Sequence, residues 1–301
     1  MPSDAKWQGP AQFALRSVLF LTLFTALFSV YLFLGKFVDA PWDKAVLLFL
    51  NPDVKIPVLD QLVILETDFA TYWVAISLIA WTIGYYSSRG SESRRQKTCT
   101  VMHVLGVLWC VWHLCGLFVW KQGIFWWSEP HDKIVFVPLA LAFYASFRLI
   151  GLSYVRLSDE TQQRLAGLFW MTIVAVIFTN MIGEDKLKSI VQRHRPLHES
   201  YAPWNEAIRI LPDEVVRGSY SYISGHASSF FALVTAFAWA FKSWKVRTVL
   251  WGWAAFHAFN RIYTAAHWPY DTILGAIFGF IVASMVYFIF RRDDEGVDWD
   301  W

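Results

Sequence analysis

The stretch VLFLTLFTALFSVYLFLG, residues 18–35, runs for eighteen positions without a charge. A helix needs about 20 apolar residues to cross the hydrocarbon of a bilayer, so this stretch with its flanks reads as a membrane span. It is longer than the apolar core of an ordinary secretion signal, and no small-x-small cleavage site comes after it, so it is expected to remain uncleaved. The same template, moved along the chain, finds runs near 13–35, 69–87, 100–120, 133–153, 164–183, 226–242, 247–263 and 271–290. The fold expected is all-α: a polytopic transmembrane helical bundle of about eight spans.

Composition agrees. Of 301 residues, 56% are hydrophobic and only 17% charged, with a mean hydropathy of +0.38, far from the balance of a soluble domain. A net charge of +2 gives no argument for nucleic acid as a partner. Cys99, Cys110 and Cys115 form no CxxC pair and imply no disulfide framework. Among the tryptophans, Trp42, Trp120, Trp126, Trp127, Trp244 and Trp268 fall at the edges of apolar runs, where an interfacial belt lies. Trp81, Trp112 and Trp253 fall within runs and read as bundle packing.

Short-loop lysines and arginines gather in 1–12, SSRGSESRRQKT (87–98), VRLSDETQQR (155–164), KSWKVR (242–247) and RRDDEG (291–296). The positive-inside rule places these in the cytoplasm, with both ends of the chain inside. The outer face then receives 36–68, 121–132, 184–225 and 264–270. Within it, 41–68 is amphipathic and interrupted by Pro52 and Pro57, which predicts short interfacial helices.

Three polar clusters fall on that outer face. In KLKSIVQRHRP (186–196), Lys188 and Arg195 are seven residues apart. On a helix continuing to Pro196 both would project from one side, a pair suited to phosphate oxygens. In SYISGHASSF (221–230), Ser224, Gly225 and His226 open a span, and a helix N-terminus is a ready anion site. In NRIYTAAHWPYD (260–271), Arg261 ends one span, His267 lies in the loop, and Pro269 starts the next helix with Asp271 in its first turn. A carboxylate four residues after a histidine can hold the ring by Nδ1 and leave Nε2 to attack. Each cluster alone has a plain reading as head-group anchor or helix cap; their coincidence on one face points to a site. Glu184 and Asp185 read as interfacial charges.

KSIVQRHRP (188–196), SGH (224–226) and RIYTAAHWPYD (261–271), in that order, resemble the signature of the type 2 phosphatidic acid phosphatase superfamily: K-x6-R-P, P-S-G-H and S-R-x5-H-x3-D. Ile223 stands where the family usually has proline, and Asn260 where it usually has serine. Neither departure removes a group that transfers a proton or forms a bond. The resemblance covers the C-terminal half and implies a catalytic helical core over 161–301, preceded by spans and interfacial helices over 1–160. It implies His267 as nucleophile held by Asp271, and His226 as general acid. Lys188, Arg195 and Arg261, with Ser224 and the backbone at Gly225, would hold the phosphate. The residues alone do not decide which histidine attacks.

No metal or other cofactor is expected, because the cluster is dominated by cations that repel Mg²⁺ or Zn²⁺. Cys99, His103, Cys110 and His113 share a face of the third span; His103 and Cys110 are about 10 Å apart along its axis, too far to hold one ion. They read as packing or interhelical bonds, and Arg148 as a residue reaching for the cytoplasmic surface. The function expected is an integral membrane phosphatase acting on a lipid phosphate or diphosphate at the outer, periplasmic face through a phosphohistidine, in a bacterial inner membrane. Phosphatidic acid, phosphatidylglycerol phosphate, polyprenyl diphosphate and the phosphates of lipid A are the substrates the resemblance implies. The loop 197–223, with Trp204, Glu206, Asp213 and Glu214, is the expected determinant of head group. A lipid phosphotransferase using the same histidine, and a non-catalytic anionic-lipid binding or transport protein, stand as alternatives.

Overall fold

The computed structural model describes residues 10–38, 40–115, 133–211 and 218–291. Its helices are α1 (Pro10–Leu34), α2 (Pro41–Leu50), α3 (Pro57–Ser88), α4 (Glu92–Cys115), α5 (Lys133–Arg156), α6 (Asp159–Ile177), α7 (Asp185–Val191), α8 (Gly225–Ala240), α9 (Trp244–Tyr263) and α10 (Pro269–Phe290). A π-helical segment, Phe178–Glu184, joins α6 to α7. Every apolar run of the sequence falls on a helix, the run at 100–120 being described as far as Cys115. Among the described residues, four stretches are long and apolar enough to cross a bilayer: Pro10–Phe37, Glu92–Cys115, Asp159–Val191 and Pro269–Phe290. The chain is an all-α membrane protein.

Two local expectations change. Pro57 begins no separate interfacial helix; it is the first residue of the 32-residue α3, because proline at a helix start loses no bond the helix would have made. Only α2 remains as a short helix of the 41–68 segment. Trp268 is buried at 1% exposure, its N–H donating to the His194 carbonyl at 2.9 Å and its ring stacked on Trp204. It belongs to the core, not to an interfacial belt. Trp42 and Trp244 are exposed, whereas Trp120, Trp126 and Trp127 lie outside the described residues. Trp81 packs internally, Trp253 meets Phe230 edge to face, and Trp112 faces outward from α4.

The chain forms two compact units, residues 68–169 and residues 1–67 with 170–301. In the first, α4 packs on α5, and the α3 tryptophans are fixed by polar bonds: Trp73 to Ser146 at 2.9 Å and Trp81 to Ser153 at 3.0 Å. The Tyr154 hydroxyl donates to the Trp81 carbonyl at 2.7 Å. His103 meets the Tyr144 hydroxyl, His113 its own helix carbonyl at Trp109, and Arg148 the Cys99 sulfur. The His103 bond is interhelical, of the kind the sequence suggests, whereas His113 bonds within its own helix and Arg148 meets α4.

In the second unit α8 packs against α9 and α10. The approach of α8 to α10 is close enough for backbone contact. A Cβ on Gly275 would lie 2.6 Å from the Ser224 carbonyl oxygen, and one on Gly279 would strike that of Ser228. Glycine at both positions lets the helices touch, as small residues four apart commonly do in membranes. The same approach sets the start of α8 beside the start of α10, where the Ser224 N–H donates to the Asp271 carbonyl at 3.0 Å. Gly279→Val is therefore expected to cost about 1–3 kcal/mol, read as a lower melting temperature in detergent. A variant as stable as wild type would show that the helices do not rely on this contact.

Candidate active site

Four segments of that unit converge. The first is α7 together with the chain just beyond it. Helix α7 stops at Val191, five residues before Pro196, because Gln192 turns into the left-handed region (φ 54°) and its N–H returns to the Lys188 carbonyl. Lys188 and Arg195 thus do not share a helix face; Lys188 comes from the helix and Arg195 from the chain after it. Arg195 is buried, its Nε donating to the Ser219 carbonyl at 2.8 Å and one terminal N–H to the Ala266 carbonyl at 2.5 Å.

The second segment is the start of α8. Ser224 caps this helix, its hydroxyl accepting from the Ala227 N–H. Capping fixes the first turn, which exposes helix-end N–H groups to an anion. The Tyr222–Ile223 peptide just before it is cis. Gly225 leaves room for an unexpected neighbour: a Cβ there would collide with the carboxylate of Glu184, which also forms an ion pair with Lys188. Glu184 is therefore no interfacial charge; its side chain is only 13% exposed.

The third and fourth segments are the end of α9 and the loop leading into α10. The backbone N–H of His267 donates to the Arg261 carbonyl at 3.0 Å, and both side chains are buried. Nδ1 of His267 lies 2.9 Å from the Ser221 carbonyl oxygen and 3.3 Å from its hydroxyl. A carbonyl can only accept, so Nδ1 carries the proton and Nε2 the lone pair. Nε2 lies 3.1 Å from a terminal nitrogen of Arg195.

Asp271 does not hold the ring in this arrangement. Ser221 takes Nδ1, while Oδ1 of Asp271 accepts from Arg193 at 2.7 Å. The other arm of Arg193 reaches Asp43 of α2 at 2.6 Å, and all three groups are buried. Asp43 in turn accepts from the Tyr270 N–H at 2.8 Å. Asp271 thus fixes the loop by a buried carboxylate–guanidinium–carboxylate bridge, with Arg193 also lying over the Trp268 ring at 4.9 Å.

Burial, followed by the charges of Arg195, Lys188, Arg261 and His226, pushes His267 well below the ordinary histidine value. The folded ring stays neutral where an unfolded one binds a proton, below about pH 6.5. The unfolded state then holds the extra proton, so the stability this residue contributes is lost as pH falls through that value. The neutral ring nevertheless persists in the folded chain. In histidine-labelled protein, the His267 ring resonance is expected not to titrate between about pH 7.5 and 5.5; a midpoint near 6.5 would contradict the electrostatics described.

The PAP2 superfamily model matches residues 164–294. This segment belongs to the PAP2 superfamily. Comparison of the chain with curated proteins and with solved structures finds no match. Membership supports a phosphatase-type activity on lipid phosphates. Within the PAP2 segment, all eight residues picked from the sequence come together: His267, His226, Asp271, Lys188, Arg195, Ser224, Gly225 and Arg261. Sequence reasoning passed over Arg193, Ser221, Glu184 and, outside the segment, Asp43. Of the outer loop, Trp204 stacks on Trp268 under Lys44, whereas Asp213 and Glu214 lie outside the described residues.

Proposed function

We propose that the chain is an integral membrane phosphatase that hydrolyses a lipid phosphate or diphosphate at the outer, periplasmic face of a bacterial inner membrane, through a phosphohistidine on His267. The observation that carries this reading is the tautomer of His267. With the Nδ1 proton held by the Ser221 carbonyl, the Nε2 lone pair is left on the side of Arg195, 3.1 Å from a terminal nitrogen of that cation.

The steps use only the groups present. Nε2 of His267 attacks phosphorus, and the bond from phosphorus to the lipid oxygen breaks as His226 gives that oxygen a proton. A water oxygen then attacks phosphorus, its proton passes to His226, and the phosphorus–nitrogen bond breaks. Inorganic phosphate leaves and both histidines return to their starting states. Lys188, Arg195 and Arg261 meet the charge on the equatorial oxygens, where fixed cations in a buried site contribute most. The N-terminus of α8 at Ser224 and Gly225 adds N–H donors.

The test is phosphate release by the full chain in detergent with EDTA, over a panel of phosphatidic acid, phosphatidylglycerol phosphate, a polyprenyl diphosphate and lipid A. Release that persists in EDTA supports the scheme. Release only when a second lipid acceptor is supplied would make the chain a phosphotransferase, and no turnover of any kind would leave a binding protein.

A further inference from the structure

A second histidine–carboxylate pair lies beside the first site and has no part in the steps above. His257 of α9 is fully buried, and its Nδ1 lies 2.8 and 2.9 Å from the two carboxylate oxygens of Glu66, 191 residues earlier on α3. The amide of Asn260 donates to the same carboxylate. On one face the His257 ring stacks on Phe230 at 4.3 Å; toward the site it lies near-parallel to the ring of His226, 6.1 Å between centroids. Among the described residues, Nε2 of His257 makes no hydrogen bond.

The arrangement has a chemical consequence. A carboxylate on Nδ1 fixes an imidazole's orientation, as it does for metal-binding histidines. His226 must carry a proton to the leaving oxygen, and it is, with Lys188, Arg195 and Arg261, one of the groups whose charge acts on His267. Two carboxylates lie at the neighbours of His226: Glu66, bonded to His257, and Glu184, which lies against Gly225 and is paired with Lys188. Asn260, standing where serine is usual, is explained by the same carboxylate: its longer side chain reaches Glu66 while fixing the residue before Arg261.

We infer that Glu66 and His257 are positioning residues for the general acid: Glu66 locks the His257 ring, and that ring, beside His226, holds the acid in place. The inference rests on the phosphatase reading, and on His226 as its acid. A merely structural pair would tie α3 to α9 and affect all substrates alike. In the transfer step, a support for the acid matters only when the leaving oxygen needs a proton.

The experiment compares the lipid phosphate that wild type turns over best with p-nitrophenyl phosphate, whose phenolate leaves without protonation. Glu66→Gln and His257→Phe are expected to lower the single-turnover rate of phosphoryl transfer from saturating lipid about tenfold, and to change the p-nitrophenolate burst rate by less than about twofold. If Glu66→Gln does not fold, His257→Asn carries the test, since its amide still donates to Glu66 while the ring is gone. Equal losses on both substrates, a change in KM alone, or no loss overturns the inference and leaves the phosphatase reading intact. A wild type inert on both substrates removes that reading and the inference with it.

Discussion

His267→Ala is expected to reduce phosphate release from the lipid substrate by on the order of 10⁴-fold or more, while substrate binding changes little. The asymmetry comes from geometry. Removing the imidazole deletes the atom that bonds to phosphorus, but Lys188, Arg195 and Arg261 remain to bind the anion. Arg195 keeps its bonds to the Ser219 and Ala266 carbonyls, so the cation beside the missing ring stays in place. A companion variant, His226→Asn, is expected to slow both steps and, with an activated aryl phosphate, to accumulate phosphoprotein labile to acid and stable to base. A binding or transport protein predicts the opposite for His267→Ala, full function without the ring, and that result would end the phosphohistidine scheme.

The second large effect is expected at a residue that touches no substrate. Arg193→Ala removes the one guanidinium bridging Asp43 and Asp271, leaving two buried carboxylates with no cation between them. Breaking a buried ion pair from one side costs about 3–5 kcal/mol, so the variant is expected to melt far below wild type or fail to accumulate. Burial works against the Arg193 charge, and Asp271 and Asp43 more than restore it, so the guanidinium is held firmly protonated. A double-mutant cycle with Asp43→Asn measures the coupling: restoring part of the lost stability in the double variant is expected, because one of the stranded charges is then gone. Simple additivity of the two losses would show that the bridge is not a unit.

Much of the fold was legible because membrane helices announce themselves locally. A run such as 18–35 needs no partner to be recognised; lipid imposes length and apolarity on the segment itself. The attacking loop was legible for a similar reason, since Arg261, His267, Pro269 and Asp271 stand within eleven positions. The groups that were missed are held by partners far away in the chain. Asp43 meets Arg193 across 150 residues and Glu66 meets His257 across 191, and no periodicity links such pairs. Helix α7 was read too long because Gln192 is not a glycine, so nothing in its identity signals the left-handed turn that ends it. Trp268 was read as interfacial from its place at the end of an apolar run, whereas its ring lies between Arg193 and Trp204. Asp271 shows the limit of spacing arguments: four residues allow a bond to His267, but Arg193 offers a charged donor and Ser221 a carbonyl already beside Nδ1.

The carboxylate of Glu184 against Gly225 and Lys188 bears on what happens after catalysis. Inorganic phosphate is smaller than the lipid and carries at least as much charge, so three cations at full strength would retain it and the enzyme would stall on its own product. With Glu184 competing for Lys188, the anion that leaves has less to hold it, whereas the lipid keeps the added grip of its hydrocarbon on the surrounding helices. In the proposed scheme, one acidic residue among the cations thereby favours turnover over retention, and weights recognition toward the part of the substrate that water cannot mimic.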